Sequence, residues 1–165
     1  MKQNKLYILT LILIGAFLQS CERDEICIDA ITPHLILRFY DMDDPETKKS
    51  VNGLIVEAEI NGELDSIKII LNDSIPLPLN VYEHQTTFIL TKNSADPATL
   101  NKDKLIVTYE VENVFVGRSC GYKSVFKNVT YTIEDVDNDE LWMKSKELIS
   151  EQIENENNAH LKIFH

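Results

Sequence analysis

The chain has 165 residues, of which 44% are hydrophobic, so its length suits one ordinary domain and its composition supports a buried core. The formal net charge at pH 7 is -11, and a chain this acidic is repelled by phosphate backbones, which argues against nucleic-acid binding. We therefore expect a folded, acidic, single-domain protein.

The first twenty residues have the pattern of a secretory signal peptide. Two lysines in "MKQNK" precede "LYILTLILIGAFL", a short run of residues that are almost all apolar. A transmembrane helix needs about 20 apolar residues, so this run is too short to span a membrane comfortably. A positive start followed by a short apolar run is typical of an export signal. We therefore predict that residues 1–20 are a signal peptide that is removed on export.

The sequence Leu18-Gln19-Ser20-Cys21 resembles the lipobox of bacterial lipoproteins, with an aliphatic residue three positions before the cysteine and a small residue directly before it. The resemblance implies that the Cys21 thiol receives a diacylglycerol, that the chain is cut before Cys21 and that the new amine is acylated. Two or three acyl chains would hold the protein on a membrane almost permanently, because each buried methylene contributes about 0.8 kcal/mol. The alternative is a signal peptide that ends beside an incidental cysteine.

We expect a lipidated tether over residues 21–33, followed by a folded domain over residues 34–165. The tether begins with "ERDE" (22–25), which resembles the export signal that sends some Bacteroidota lipoproteins to the outer face of the outer membrane. A solvated tether without any sorting role is the alternative. We therefore predict a lipid-anchored outer-membrane protein and leave the periplasmic and the surface-facing leaflet both open.

Two cysteines, Cys27 and Cys120, remain if Cys21 carries lipid. An exported chain in an oxidising compartment usually pairs its cysteines, so we predict a Cys27–Cys120 disulfide that pins the first strand beside a late one. Two buried free thiols are the alternative. No histidine or further cysteine has the spacing that a metal site or a catalytic cysteine needs.

Alternating apolar and polar residues predict a series of short strands. The segment "LIVEAEI" (54–60), the dipeptide Asn61-Gly62 and the segment "ELDSIKIIL" (63–71) predict a hairpin, because this dipeptide is well suited to a type I′ turn. Pro76 and Pro78 confine 74–80 to an edge or a crossing segment, because proline donates no backbone hydrogen bond. Further strands are predicted at 34–41, 85–91, 104–114 and 122–133.

The two late strands each have one apolar face. These faces consist of Leu105, Val107, Tyr109 and Val111 in the first strand, and of Val125, Val129, Tyr131 and Ile133 in the second. The segment "LWMKSKELI" (141–149) is compatible with a helix or a strand, whereas "AHLKIF" (159–164) alternates like a final strand. We favour strands in both, because a closing strand would cover a sheet edge.

Six to eight short strands with little convincing helix predict an all-β fold, namely an antiparallel β-sandwich with the immunoglobulin-like form as the obvious candidate. Trp142 and the disulfide would then be features of the core. Alternation indicates strands but does not indicate which strand pairs with which.

The sequence contains no recognisable catalytic motif. The segment "DVDNDE" (135–140) places Asp135, Asp137 and Asp139 at alternate positions, as in calcium loops, but the glycine and the glutamate that complete such a loop are missing, so a solvated turn is favoured. Acids are too plentiful for a glycosidase pair to be singled out. We therefore predict no enzyme activity, no metal and no cofactor.

The segments "TPHLILRFYD", "IPLPLN", "LIVTYEVENVFVGRSCGYKSVF" and "IENENNAHLKIF", together with the spacing of Cys21 and Cys27, resemble an uncharacterised family of small Bacteroidota outer-membrane lipoproteins. The resemblance implies export, lipidation and a small β domain, and it supplies no catalytic residue. Association of the family with predicted outer-membrane β-barrels suggests a barrel partner.

Three functions remain open. The first is a non-enzymatic, lipid-anchored module that binds or supports another envelope component, such as a barrel. The second is a surface module that binds glycans or other nutrients on exposed aromatic side chains, for which Tyr40, Tyr82 and Tyr122 are candidates. The third, which we rank last, is a hydrolase that uses unrecognised acids.

Overall fold

The computed structural model describes Cys27 and residues 32–60, 62–67 and 73–165. The predicted signal peptide, the lipid-attachment residue Cys21 and most of the tether lie outside these residues. The described residues form nine β-strands and no helix, so the predicted all-β class is confirmed. This part of the chain accordingly holds no helix of the length and apolar character needed to cross a bilayer.

The strands form two sheets that share one core. The four-stranded sheet has the order β4-β1-β9-β8, and the five-stranded sheet has the order β3-β2-β5-β6-β7. Apolar side chains from both sheets meet in a single cluster, as expected for a β-sandwich. The strands are β1 (Leu35–Tyr40), β2 (Ile55–Ile60), β3 (Glu63–Ile67), β4 (Ser74–Leu77), β5 (Gln85–Lys92), β6 (Asn101–Gly117), β7 (Gly121–Asp135), β8 (Ser145–Leu148) and β9 (Leu161–Phe164).

The centre of the four-stranded sheet differs from the expected purely antiparallel arrangement. Strands β1 and β9 run parallel, with Leu37 opposite Leu161 and Phe39 opposite Ile163. The other pairings among the described strands are antiparallel. The antiparallel prediction is therefore wrong for this pair, because alternation identifies the buried face of a strand and carries no information about the direction of a distant partner.

The inward face of β1 carries Leu35, Leu37 and Phe39, which have no solvent exposure. Burying side chains of this size stabilises the fold by about 1.5–3 kcal/mol each. Trp142 is also buried, and its indole Nε1 donates a hydrogen bond to the Leu90 carbonyl oxygen at 3.1 Å. The predictions that β1 has one apolar face and that Trp142 belongs to the core are confirmed.

The predicted β2–β3 hairpin is present. Ile60 pairs with Glu63, which leaves two residues for the turn, and Gly62 has φ of 79°, a conformation that other residues rarely adopt. Asn61 and the end of the predicted second strand (68–71) lie outside the described residues. Pro76 lies in β4 at the edge of the four-stranded sheet, as its missing hydrogen-bond donor requires.

The long β6–β7 hairpin contains a bulge. Between the Thr108–Thr130 pair and the Glu110–Lys127 pair, β7 has one residue more than β6. Asn128 lies in this interval with φ of 52°, and a residue in the left-handed region is typical of one common type of bulge. Asparagine tolerates this conformation better than most residues do.

The bulge changes which side chains of β7 face the core. Val129 and Tyr131 are in the core cluster, as predicted, but beyond the bulge Phe126 takes the place that was predicted for Val125. The Phe126 ring packs edge-to-face against Tyr109, with the ring centroids 4.9 Å apart. Val125 is buried as well, but it lies outside that cluster, so the regular alternation predicted over 122–133 fails there because one inserted residue reverses the faces.

The C-terminal region forms two short strands and a long loop. Strand β9 confirms the predicted final strand, whereas in the ambiguous segment only Ser145–Leu148 is a strand. The loop 149–160 joins them, and its Ile153 is fully buried and exchanges backbone hydrogen bonds with Phe126 at 2.8 and 3.1 Å. The loop therefore connects the four-stranded sheet to the edge of the five-stranded sheet.

Cys27 and Cys120 are joined by a disulfide, with their Cα atoms 5.0 Å apart. Cys120 lies in the turn between β6 and β7, and both cysteines are half-exposed. The expectation that the bridge is a core feature is wrong, because the β6–β7 hairpin extends past the sheets and carries the bridge with it.

Candidate functional site

A groove of about 460 Å³ lies on the outer face of the four-stranded sheet. Its floor includes Arg38 and Tyr40 of β1 and Lys162 of β9. These residues alternate with core residues along their strands, so their side chains point away from the core. The parallel register places Arg38 directly beside Lys162.

The wall of the groove is the loop 149–160, which contributes mainly amide and hydroxyl side chains. These residues are Ser150, Gln152, Asn155 and Asn158, and the wall also contains the acidic residue Glu154. Ser150 Oγ donates to the Gln152 carbonyl at 2.7 Å and accepts from the Gln152 amide at 3.1 Å, which closes a tight local turn. The groove thus has a rigid sheet on one side and a hydrogen-bonding loop on the other.

His160 fixes the end of this loop against β1. Its backbone amide donates to the Ile36 carbonyl at 2.9 Å, and its Nδ1 accepts from the Ile36 amide at 2.9 Å. Burial lowers the pKa of His160, which keeps the imidazole neutral and preserves the acceptor.

A second support fixes the middle of the loop. Glu156 Oε1 accepts hydrogen bonds from the backbone amide and from Nδ1 of His34, at 2.8 and 2.6 Å. The backbone hydrogen bond from His34 is the main cause that lowers the pKa of Glu156. His34 therefore holds the loop in place and has no neighbouring nucleophile among its described contacts.

The two cations on the floor have different surroundings. Lys162 Nζ lies 3.2 Å from Glu147 Oε2 and 5.3 Å from the centroid of the Tyr40 ring, so its charge is compensated. Arg38 forms no ion pair with any described residue, and its buried Nε has no hydrogen-bond partner there. A guanidinium without a partner is suited to a carboxylate or another anionic group.

Arg38 was not predicted as a site residue from the sequence. The alternation of "LILRFY" was a usable signal, because it places Arg38 and Tyr40 together on the outward face of a strand. The loop that completes the groove follows β8, more than a hundred residues later, and no local pattern connects it to β1.

The three tyrosines predicted as binding platforms lie on three separate elements. Tyr40 lies in the groove, Tyr82 lies in the turn between β4 and β5, and Tyr122 lies near the end of the β6–β7 hairpin. Tyr40 packs against Phe164, with ring centroids 5.8 Å apart, and Tyr122 packs against Phe115 at 5.3 Å. Only Tyr40 belongs to the groove.

A smaller cavity of about 240 Å³ lies at one end of the sandwich beside Trp142. Lys92 and His165 line it, and burial lowers the pKa of both side chains. The His165 imidazole packs edge-on to Trp142 and Phe39, with centroids 5.8 and 6.1 Å apart. These ring contacts make His165 part of the packing at this end of the core.

Asp103 is a buried carboxyl that the sequence analysis missed. It has no solvent exposure, its Oδ2 accepts a hydrogen bond from the Met143 amide at 2.7 Å, and its Oδ1 has no partner among the described residues. Burial raises the pKa of Asp103 to about 6. The carboxyl fixes the segment around Met143 to β6.

The acidic turn after β7 is organised by its own first residue. Asp135 Oδ1 accepts from the amides of Asp137 and Asn138 at 3.0 and 2.8 Å, and its Oδ2 accepts from the Glu140 amide at 3.0 Å. No cluster of metal-ligating side chains occurs within the described ranges. These hydrogen bonds give Asp135 a structural role in the turn.

The comparisons place the chain in a family without assigning an activity. Residues 54–165 match a family of unknown function (DUF6452). No curated protein and no solved structure matches the chain significantly. The match covers more than half of the sequence, from just before β2 through β9, and the chain therefore belongs to this family of unknown function.

Proposed function

We propose that the protein is a non-enzymatic, lipid-anchored binding module of the bacterial outer membrane. The signal-like N-terminus and the lipobox-like residues ending at Cys21 support export and lipidation. The resemblance to Bacteroidota lipoproteins supports the outer membrane as the destination. The groove on the four-stranded sheet then holds an acidic segment of another envelope protein, for which a β-barrel is our first candidate.

The observation that carries the binding proposal is the unpaired guanidinium of Arg38 in the floor of the groove. Leaving a charged donor partly buried without a partner is unfavourable, and a carboxylate from a ligand would satisfy it. Lys162 next to it supplies a second positive charge, although Glu147 already pairs with it. A short peptide segment that directs a carboxylate at Arg38 and keeps further acids away from Glu154 of the wall suits a groove of this volume.

The proposal is tested by crosslinking in cells. A photoreactive amino acid replaces Asn158 on the groove wall, and a control chain carries it at Asp65, an exposed position on the other sheet. We expect one stoichiometric partner from the groove position alone. Arg38→Ala should abolish this product, whereas Lys104→Ala, which removes a cation from the other sheet, should leave it unchanged. Equal products from both positions, or a product that survives Arg38→Ala, would contradict the proposal.

A second candidate function is glycan binding in the same groove. The Tyr40 ring and the amides of Gln152, Asn155 and Asn158 favour it, because sugars stack on aromatic rings and bond to amide groups. Retention on an acidic polysaccharide column, lost with Tyr40→Ala and kept with Tyr82→Ala, would support this function over the first.

The membrane anchor is tested separately. Labelled palmitate should enter the protein in its host, and Cys21→Ala should release the protein from the membrane fraction. A Cys21→Ala protein that fractionates with the same membranes would refute the anchor. Protease treatment of intact cells assigns the leaflet. The immunoglobulin-like form of the sandwich likewise stays a prediction, which an experimental structure would check.

A further inference from the structure

The end of the β6–β7 hairpin projects beyond the five-stranded sheet. The last residue of β6 that pairs with β5 is Thr108, opposite Gln85, so the following residues up to Gly117 have only β7 as a neighbouring strand. Tyr109 and Val111 still pack in or against the core, so the projecting part begins near Glu112 and, at about 3.3 Å per residue, is about 20 Å long. We call its outer part, residues 113–123, the hairpin tip.

The hairpin tip exposes a contiguous group of large apolar side chains. Phe115 and Tyr122 lie directly opposite each other, with ring centroids 5.3 Å apart, and are 56% and 65% exposed. Val114 beside them is 37% exposed. Exposed apolar groups clustered at a projecting turn mark an interaction surface more often than a chance feature of a soluble domain.

The charge of the tip is opposite to that of the rest of the chain. Residues 113–123 contain Arg118 and Lys123 and no acidic residue, although the whole chain has a net charge of -11. Lys123 Nζ donates a hydrogen bond to the Glu154 carbonyl at 3.1 Å, whereas Arg118 lies in the exposed turn itself. The tip is therefore attracted to an anionic surface that repels the remainder of the molecule.

The disulfide ties this tip to the proposed anchor. Only six peptide units separate Cys21 from Cys27, so their Cα atoms are at most about 22 Å apart. The Cα atoms of Cys27 and Cys120 are 5.0 Å apart. If lipid holds Cys21 at the headgroups, the turn that contains Cys120 must stay close to the membrane surface in every orientation of the domain.

We propose that the hairpin tip contacts the lipid headgroup region of the leaflet that carries the anchor, with Phe115 and Tyr122 at the interface and Arg118 and Lys123 near anionic headgroups. Aromatic side chains favour this boundary, and basic residues add attraction to anionic lipids. The acyl chains supply the affinity, while the tip sets the orientation of the domain. This inference rests on the proposed lipidation of Cys21.

The contact is tested on full-length, processed protein in vesicles of phosphatidylethanolamine with a minority of phosphatidylglycerol. A Phe115→Trp variant places an indole at the tip, and Trp142 is buried, so it contributes a constant background. The control is Val136→Trp, at an exposed position next to the opposite end of β7. Lipids brominated near the headgroup should quench the emission added by Phe115→Trp and leave that added by Val136→Trp unchanged.

A second measurement uses tryptic cleavage at Arg118. On vesicles, the parent protein should resist cleavage at this residue, and the double variant Phe115→Ser with Tyr122→Ser should be cleaved faster. In detergent, the parent and the double variant should be cleaved at the same rate. Equal quenching at both indole positions, or equal cleavage on vesicles, would overturn the tip contact. Cys21→Ala fractionation reports on lipidation alone, so failure of the anchor and failure of the tip contact are distinguished.

Discussion

Arg38 and Asp103 are two ionisable side chains that form no ion pair within the part of the chain that the structure describes, and their different surroundings give them different roles. Arg38 lies in the floor of an open groove, where a ligand can satisfy it. Asp103 is fully buried, and its carboxyl accepts a hydrogen bond from the Met143 backbone amide. The first is suited to binding, whereas the second makes the stability of the fold depend on pH.

We expect the contribution of Asp103 to the stability of the fold to fall as the pH rises from about 4 to about 6, whereas the lowered pKa values of His160 and His165 act in the opposite direction. Burial raises the pKa of Asp103 to about 6, whereas in the unfolded chain an aspartate has its ordinary pKa near 4. In this interval the unfolded state releases a proton that the folded state retains, so the stability present below about pH 4 is lost through pH 6. The difference of about two units corresponds to about 3 kcal/mol.

Urea unfolding of the Asp103→Asn variant checks this, because asparagine keeps the acceptor for the Met143 amide and cannot ionise. The difference in unfolding free energy between the variant and the parent should shift in favour of the variant as the pH rises from 4 to 7. The matched control Asp65→Asn, at an exposed position in β3, should show no comparable change. A pH profile that is the same for Asp103→Asn and for the parent contradicts the prediction.

For individual residues, predictions from the sequence were best for residue types that occupy few kinds of environment. The pairing of Cys27 with Cys120 was predicted from the expected export and from the number of cysteines, and the burial of Trp142 was predicted from the expected sandwich. Asp103 was not foreseeable, because "NKDK" is typical of a solvated loop. The partner that buries it belongs to the segment around Met143, forty residues away.

Among the elements, the bulge in β7 has a consequence that can be measured. Asn128 lies at φ of 52°, and a β-branched residue is strained in this left-handed region. We expect Asn128→Val to lower the free energy of unfolding by about 1–2 kcal/mol, and Asn128→Gly to have a much smaller effect. Denaturant unfolding measures both. Thr130→Val, at an exposed position on the same strand, is the control and should be close to neutral.

The disulfide is the second element that carries a prediction. It closes a loop with a sequence separation of 93, and the chain-entropy model assigns such a loop about 4–5 kcal/mol as an upper figure. We expect the double variant Cys27→Ser with Cys120→Ser to fold with a reduced unfolding free energy, and reduction of the parent protein to lower its stability to the same value. A double variant as stable as the oxidised parent would show that the bridge contributes little.

Strand existence was predictable from alternation, and strand details were not. The β2–β3 hairpin followed from its turn dipeptide, and the edge position of β4 followed from Pro76. The face reversal at Asn128 was missed, because an inserted residue leaves the local apolar content unchanged. The floor of the groove follows from the alternation of β1, but its wall depends on how the loop 149–160 folds back, and this is fixed by distant contacts such as Ile153 with Phe126.

For the whole molecule, the segment that the family match covers is shorter than the segment that folds as one domain. The match begins at residue 54, but β1 lies before it and occupies the sheet between β4 and β9. Without β1, the four-stranded sheet loses its central ladder and the apolar face of Leu35, Leu37 and Phe39.

We therefore expect a chain that starts at residue 32 to fold, with lower stability because it lacks Cys27, and a chain that starts at residue 54 not to fold. Circular dichroism and cooperative urea unfolding distinguish the two outcomes. Cooperative unfolding of the shorter chain would refute the prediction, since it would mean that β1 is dispensable for the sandwich.

The parallel pairing of β1 with β9 also constrains the time course of folding. Leu37 pairs with Leu161, which follows it by more than a hundred residues. This ladder therefore has a high contact order, and we expect it to form late in folding. While the chain is being synthesised, one edge of β1 therefore lacks its hydrogen-bonding partner until β9 has been made. During that interval the nascent domain is vulnerable to aggregation, and a chaperone that shields β1 would increase the yield of native protein.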